Sequence, residues 1–161
     1  MKTPGIIKNC EEKRKLPVVN EEVVNHLLHN MEGHLQELRS ATDINYEKFI
    51  YDLRSQRFVE RTIHILIEIC FDIVHHIISD QGWREPTSYA DAFSVLAENN
   101  VIDAESVIKY RLMAQFRNKL VHYYEKIEPE QVFTIFSKHL TDFDQFIQSI
   151  NKWLSQRHNA S

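Results

Sequence analysis

Ile63-His64-Ile65-Leu66-Ile67-Glu68-Ile69-Cys70-Phe71-Asp72-Ile73-Val74-His75-His76-Ile77-Ile78 is the run on which the fold turns. At about 100° per residue, Ile63, Leu66, Ile67, Cys70, Phe71, Ile73, Val74, Ile77 and Ile78 cover nearly half of a helix. Ile65 and Ile69 fall almost opposite. A helix apolar on more than one side either runs through a core or meets a second chain. In a chain of 161 residues a seam between two copies is the expectation, so the run predicts a homodimer.

Four further helical segments surround this one. Asn20 suits an N-cap, with Glu21 and Glu22 favourable in the first turn. Val23, Val24, Leu27, Leu28, Met31, Leu35 and Leu38 then trace one face at helical spacing, and Ser40-Ala41-Thr42-Asp43 ends the helix. The second helix starts near Tyr46 and reaches towards Asp80, bent around Arg54-Ser55-Gln56. Gln81-Gly82-Trp83-Arg84-Glu85-Pro86 is the clearest loop. Ser88 caps a short third helix with Ala92, Phe93, Leu96 and Ala97, which stops at Asn99-Asn100. Asp103 caps a fourth, running to about Tyr123. Pro129 fits the first position of a fifth. Val132, Ile135, Phe136, Leu140, Phe143, Ile147, Ile150 and Leu154 mark its buried stripe. The predicted fold is all-α, a single-domain helical bundle of four long helices plus one short helix. Residues 1–19 read as a loosely ordered leader, 20–155 as the helical domain and 156–161 as a tail.

Composition narrows the function classes. Three glycines and four prolines are too few for the turns of a sandwich or barrel. With 43% apolar and 26% charged residues the chain is not of the disordered type. A net charge of −4 argues against a uniformly basic nucleic-acid binder, though not against a local basic site. Cys10 sits among charges and Cys70 in the apolar run, so pairing is not expected and a reducing compartment is. Met1-Lys2-Thr3-Pro4 leads into no apolar signal region. The apolar runs break at Glu68 and Asp72, short of the roughly 18 residues of a membrane span. No membrane association and a cytoplasmic location are expected.

Two constellations carry chemistry. His64, Glu68, Asp72 and His75 share the remaining narrow strip of the second helix. A carboxylate-bridged metal site would require a Glu-x-x-His pair on each of two helices. Asp72-x-x-His75 is the one approximate match, so the strip reads as solvated, with i,i+4 His–Glu pairing. His26 and His29 read as surface histidines. No metal and no cofactor is expected.

The fourth helix differs. Between Val107 and Lys126 the cations Lys109, Arg111, Arg117, Lys119 and Lys126 face a single acid, Glu125. Arg111, Gln115, Asn118 and His122 fall on one stripe. Tyr110, Met113, Arg117, Val121 and Tyr124 fall on another, and Leu112, Phe116, Leu120 and Tyr123 form an apolar remainder. Two polar stripes exceed what solvation asks of a helix. The plain alternative is a surface helix whose last turn carries cations that suit its dipole.

Arg117-Asn118-Lys119-Leu120-Val121-His122-Tyr123-Tyr124 is an Arg-x4-His-x-Tyr sequence. It resembles the HEPN superfamily motif in the form carried by HepT-like toxins. The resemblance spans about Arg54 to Asn151. It takes in the Ile-rich helix, the Gly82-Trp83-x-x-Pro86-Thr87-Ser88-Tyr89 loop, Leu96 through Ile102 and the Ile127-Glu128-Pro129 start of the last helix. The leader before Asn20 is longer than the family pattern, and the resemblance assigns it no role. What the resemblance implies is a homodimeric, metal-independent ribonuclease, the toxin of a toxin–antitoxin pair acting on RNA. Its partner would be a minimal nucleotidyltransferase antitoxin that adenylylates a motif tyrosine. Position by position, Arg117 and His122 become the catalytic pair, Tyr124 the modified residue, and Asn118 the polar residue that follows the Arg. With Asn118, Arg111 and Lys119 of the cationic segment are the expected supporting, phosphate-binding residues.

The chemistry is coherent. Metal-free RNA cleavage requires a base for the 2′-OH proton, an acid for the leaving oxygen and a cation for the charge on the phosphorane. His titrates near pH 6.5 and serves either proton role. Arg stays protonated and fits phosphate oxygens with its planar fork. Five residues apart on a straight helix is about 140°, so Arg117 and His122 diverge unless the arginine wraps round, the helix distorts or the pair meets across the dimer seam. The competing readings are a non-catalytic HEPN module that binds a nucleotide or partner, and a metal-binding bundle built on the His64–His75 strip. The RNA substrate and its cut site are not encoded in any of these patterns.

Overall fold

The computed structural model describes residues 19–160. The leader up to residue 18, including Cys10 and its basic side chains, and Ser161 lie outside the described residues. The described residues form α1 (Glu21–Ser40), α2 (Tyr46–Tyr51), α3 (Leu53–Gln81), α4 (Tyr89–Glu98), α5 (Ser106–His122), a 3-10 turn (Tyr124–Lys126), α6 (Pro129–Lys138) and α7 (Leu140–Asn159). No strand occurs among them.

The all-α bundle stands, with two expected helices divided. The second breaks at Asp52 rather than bending at Arg54-Ser55-Gln56. Asp52 Oδ1 accepts from the Arg54 amide at 3.0 Å, capping α3. Gln56 Nε2 reaches back to the Phe49 and Ile50 carbonyls at 2.7 and 3.0 Å, satisfying the orphan end of α2. The last helix breaks at His139 (φ −119°, ψ 7°), separating α6 from α7. The expected tail is helical to Asn159. Asn20 occupies the N-cap position of α1 without a side-chain capping bond, whereas Ser88 caps α4 by accepting from the Asp91 amide at 3.0 Å. Asp103 accepts from the Ser106 amide at 2.7 Å at the start of α5.

α3, about 43 Å long at 1.5 Å per residue, is the axis of the molecule. α1, α2, α4, α5 and α6 all pack on it, and α7 closes the far side against α1 and α6. Twelve of its side chains between Val59 and Ile78 are buried, including Ile69 at 8% exposure, and Ile65 packs half-buried against the core. The two-sided apolar pattern therefore reflects a helix inside its own bundle, and Ile65 and Ile69 do not form an open seam. By length and mean hydropathy α3 is the one described helix that passes as a membrane span, because Glu68 and Asp72 do not break the helix. Over half of that window is buried by protein.

α3 stops at Gly82, whose φ of 62° requires the left-handed region. Trp83 N donates to Ile78 O at 3.1 Å across this turn, the Schellman pattern that favours glycine. Beyond it Arg84 bridges both ends of α4. It donates to Asp91 at 2.8 and 2.9 Å and to Glu98 at 2.9 and 2.8 Å. Asp91 also accepts from the Thr87 amide at 2.9 Å. The loop is thus fixed, and with it the placement of Tyr89 at the first position of α4.

Candidate active site

α5 carries the cationic segment. Its inward residues are Val107, Tyr110, Ala114, Phe116 and Leu120. Tyr110, expected on a polar stripe, lies wholly in the core, stacked on Phe93 with ring centroids 5.2 Å apart. Leu112 and Tyr123, expected on the apolar remainder, are exposed.

Arg117 points towards α3 and α4. Its Nε donates to Glu68 Oε1 at 2.6 Å, and its guanidinium lies over the Tyr89 ring, 4.7 Å from the centroid. His64 Nε2 approaches the same Glu68 oxygen at 3.1 Å. On the far side of Tyr89, Phe71 packs at 4.6 Å and the His75 ring meets it edge-on at 5.7 Å. Burial pushes the Glu68 carboxyl up, but the hydrogen bond and charge of Arg117, with His64, outweigh it and hold the carboxyl below its usual range. The Glu68 hydrogen bond in turn raises Arg117. The strip of α3 expected to be merely solvated thus supplies the anchor of Arg117. Asp72, one turn on, is exposed. Among the described residues no three His, Cys, Asp or Glu side chains gather as metal ligands.

The other singled-out residues are dispersed. His122 is the last residue of α5 and exposed, its ring 6.5 Å from that of Tyr123. Among the described residues no contact joins it to Arg117, in keeping with about 140° of helix between them. Asn118 is exposed. Arg111 Nη2 donates to Ser94 Oγ at 2.8 Å, and Lys119 Nζ donates to Gln131 Oε1 at 3.0 Å. Arg111 therefore turns to α4 and Lys119 to α6. Lys119 borders a groove of about 740 Å³ between α3, α5, α6 and α7, floored by Ile63, Ile67, Met113 and Phe116. Tyr124 is 63% exposed and lines a separate cleft of about 250 Å³ with Gln56, Arg57 and Glu60.

Sequence reasoning missed Glu68, His64 and Tyr89 as neighbours of Arg117. A signal was present: Met113, Ala114, Leu120 and Val121 occupy the i±3 and i±4 positions of Arg117. A cation with no acid on its own helix looks for one elsewhere, and Glu68 is an acid set between two buried isoleucines, Ile67 and Ile69.

Comparison with known proteins places this arrangement. The family model described as Ribonuclease HepT-like matches residues 31–150. The chain is 34% identical over 103 residues to the mRNA nuclease HepT of Shewanella oneidensis, covering 64% of this chain and 77% of that protein. It is 26% identical over 121 residues to the tRNA nuclease HepT of Aphanizomenon flos-aquae, covering 75% and 82%. Its structure is similar to that of a tri-AMPylated Shewanella oneidensis HEPN toxin in complex with an MNT antitoxin. That match has a TM-score of 0.75 and 27% identity over 81% of this chain and 98% of that one. The cytosolic protein YutE of Bacillus subtilis shares the fold alone, with a TM-score of 0.75 at 20% identity over 86% and 93%.

Proposed function

The chain belongs to the Ribonuclease HepT-like family, and from that premise we propose that it is a metal-independent RNase toxin acting in the cytoplasm. The observation that carries the reading is Arg117. An arginine on the motif helix, 15% exposed and held between Glu68 and the Tyr89 ring, has its planar donor fork presented in one orientation. Such a fork suits the charge that develops on a phosphorane. His122, exposed at the end of the same helix, is the proton carrier for the 2′-OH or the leaving oxygen.

Since Arg117 and His122 diverge within one chain, the complete site is formed by two copies, each giving residues to a shared cleft. Arg111 and Lys119 supply further cations for RNA phosphates, and Asn118 a neutral hydrogen-bonding group. The partner is a minimal nucleotidyltransferase antitoxin that adenylylates Tyr124. The names of the relatives support the nuclease and the antitoxin partner: two are called nucleases of RNA, and the similar solved toxin is AMPylated and bound to an MNT antitoxin.

The decisive test is incubation of purified protein with total RNA in EDTA, beside His122→Ala. Cleavage by the wild type and its loss in the variant are expected. Intact RNA with the wild type, despite binding of RNA or nucleotide, would favour a non-catalytic module.

A further inference from the structure

We infer that Glu68 is a positioning residue for Arg117, fixing the guanidinium by its Nε edge against the Tyr89 ring so that the Nη edge meets a substrate phosphate. The inference rests on the reading of Arg117 as the phosphate-facing cation of a ribonuclease. A long arginine side chain on a helix surface samples many rotamers, and ordering it on substrate arrival would cost binding and rate. Here the ordering is already done. Glu68 Oε1 takes Nε at 2.6 Å, Tyr89 covers one face of the guanidinium plane, and Tyr89 is itself set by Phe71 and by the Arg84-anchored start of α4.

The mode of contact separates positioning from masking. A carboxylate that blocked the arginine's donors would take two of them in the bidentate fork. Glu68 takes Nε alone, which leaves the Nη groups for a phosphate. Its location argues the same way. Glu68 lies between the buried Ile67 and Ile69 of α3, and an apolar side chain there would serve stability as well as an ion pair. A carboxylate there is explained by the arginine it holds. His64 on the same oxygen, at 3.1 Å, fixes the carboxylate in turn.

The test compares Glu68→Ala, Glu68→Gln, Arg117→Ala and the double variant Glu68→Ala/Arg117→Ala in steady-state RNA cleavage. Melting curves check that each is folded, and Glu68→Gln carries the test where Glu68→Ala does not fold. Glu68→Ala is expected to lower kcat about tenfold to a hundredfold, the usual cost of a misplaced reacting group, with a smaller change in KM. Glu68→Gln keeps an acceptor oxygen and is expected to recover most of the loss. The double variant is expected to be no slower than Arg117→Ala, since Glu68 acts through that side chain. The Arg117 Nε–H signal in NMR is read alongside. It is expected to be protected from exchange in the wild type and in Glu68→Gln, and to lose that protection in Glu68→Ala. Glu68→Ala cleaving at the wild-type rate, or losses that multiply in the double variant, would overturn the inference. If the wild type does not cleave RNA, the ribonuclease reading fails and the Nε signal decides the anchoring of Arg117 on its own: unprotected in the wild type, it overturns the inference.

Discussion

Tyr124 stands two residues beyond His122, and the α-helix ends between them. His122 closes α5, Tyr123 leaves helical geometry at φ −137° and ψ 37°, and Tyr124 opens a 3-10 turn. A wheel drawn through Arg117 would bring Tyr124 within about 20° of it, but that register does not survive the helix end. Tyr124 instead faces α3 two turns away from Glu68, beside Arg57 and Glu60.

Tyr124 remains the tyrosine expected to be adenylylated, for a different reason. Tyr123 and Tyr124 are both exposed, but the Tyr123 ring contacts His122 in a T-shaped pair and Lys126, whose Nζ lies 5.4 Å from its centroid. Tyr124 lines a cleft shared with Gln56, Arg57 and Glu60. Co-expression with the cognate nucleotidyltransferase, followed by peptide mass spectrometry, is expected to find the added mass on Tyr124. Tyr124→Phe is expected to stay toxic in the presence of the partner. Adenylyl on Tyr123, or full suppression of Tyr124→Phe, would count against this.

Replacing His122 by Ala is expected to slow cleavage by about 10²–10⁴-fold through loss of the proton carrier. Arg117→Ala is expected to cost a similar order through loss of one preorganised donor. His122 is exposed, so its variant should melt with the wild type. A cleavage rate restored by added imidazole in His122→Ala would identify the lost group as the proton carrier. An unchanged rate would move the chemistry elsewhere.

The helix boundaries and the motif were legible because caps and spacing are local properties. Ser88 and Pro129 act at the position where their chemistry predicts, whereas Asp103 binds the Ser106 amide but Glu105 holds the N-cap position of α5. Asp52 and His139 were not legible as breaks, because the apolar period continues through both and only long-range packing decides that the chain turns. The seam assigned to Ile65 and Ile69 failed for a related reason. Periodicity measures how many faces of a helix are apolar, not whether its own chain supplies five neighbours to cover them. Glu68 was visible as an odd acid on α3, but its partner lies on another helix 49 residues away.

Tyr110 is wholly buried, with its hydroxyl lacking a hydrogen-bond partner among the described residues. Burial pushes its phenol up. A buried donor without a partner carries its full desolvation cost. Tyr110→Phe is therefore expected to stabilise the protein by about 1 kcal/mol, with stacking on Phe93 retained. Urea denaturation measures this. A loss of stability would mean the hydroxyl is satisfied by a water or a second subunit.

Hydrogen bonds from Arg84 and the Thr87 amide hold the Asp91 carboxyl well below the usual carboxylate range. Its folded pKa lies beneath its unfolded one, so its contribution is full above about pH 4 and fades as pH falls towards the folded value. Asp91→Asn is expected to melt below the wild type at pH 7 and to approach it as the pH falls below about 4. A gap in melting temperature that is constant from pH 7 to pH 3 would show that Asp91 does not anchor the loop that carries Tyr89.

A homodimer is expected, with its seam on α5 rather than α3. Ile108 is 68% exposed and Leu112 59%. They lie one turn apart on the same face, and Leu112 borders the apolar groove with Met113 and Phe116. Open apolar surface of this kind on a small protein marks an interaction site. A two-fold axis is isologous, so α5 would meet α5 of the partner. Light scattering at micromolar concentration is expected to give twice the 19.1 kDa of one chain. Leu112→Glu, on an exposed position, is expected to yield a folded monomer that melts near the wild type and has lost RNA cleavage. A monomeric wild type that cleaves RNA would overturn the shared site, and a Leu112→Glu variant that stays dimeric would place the seam on another face.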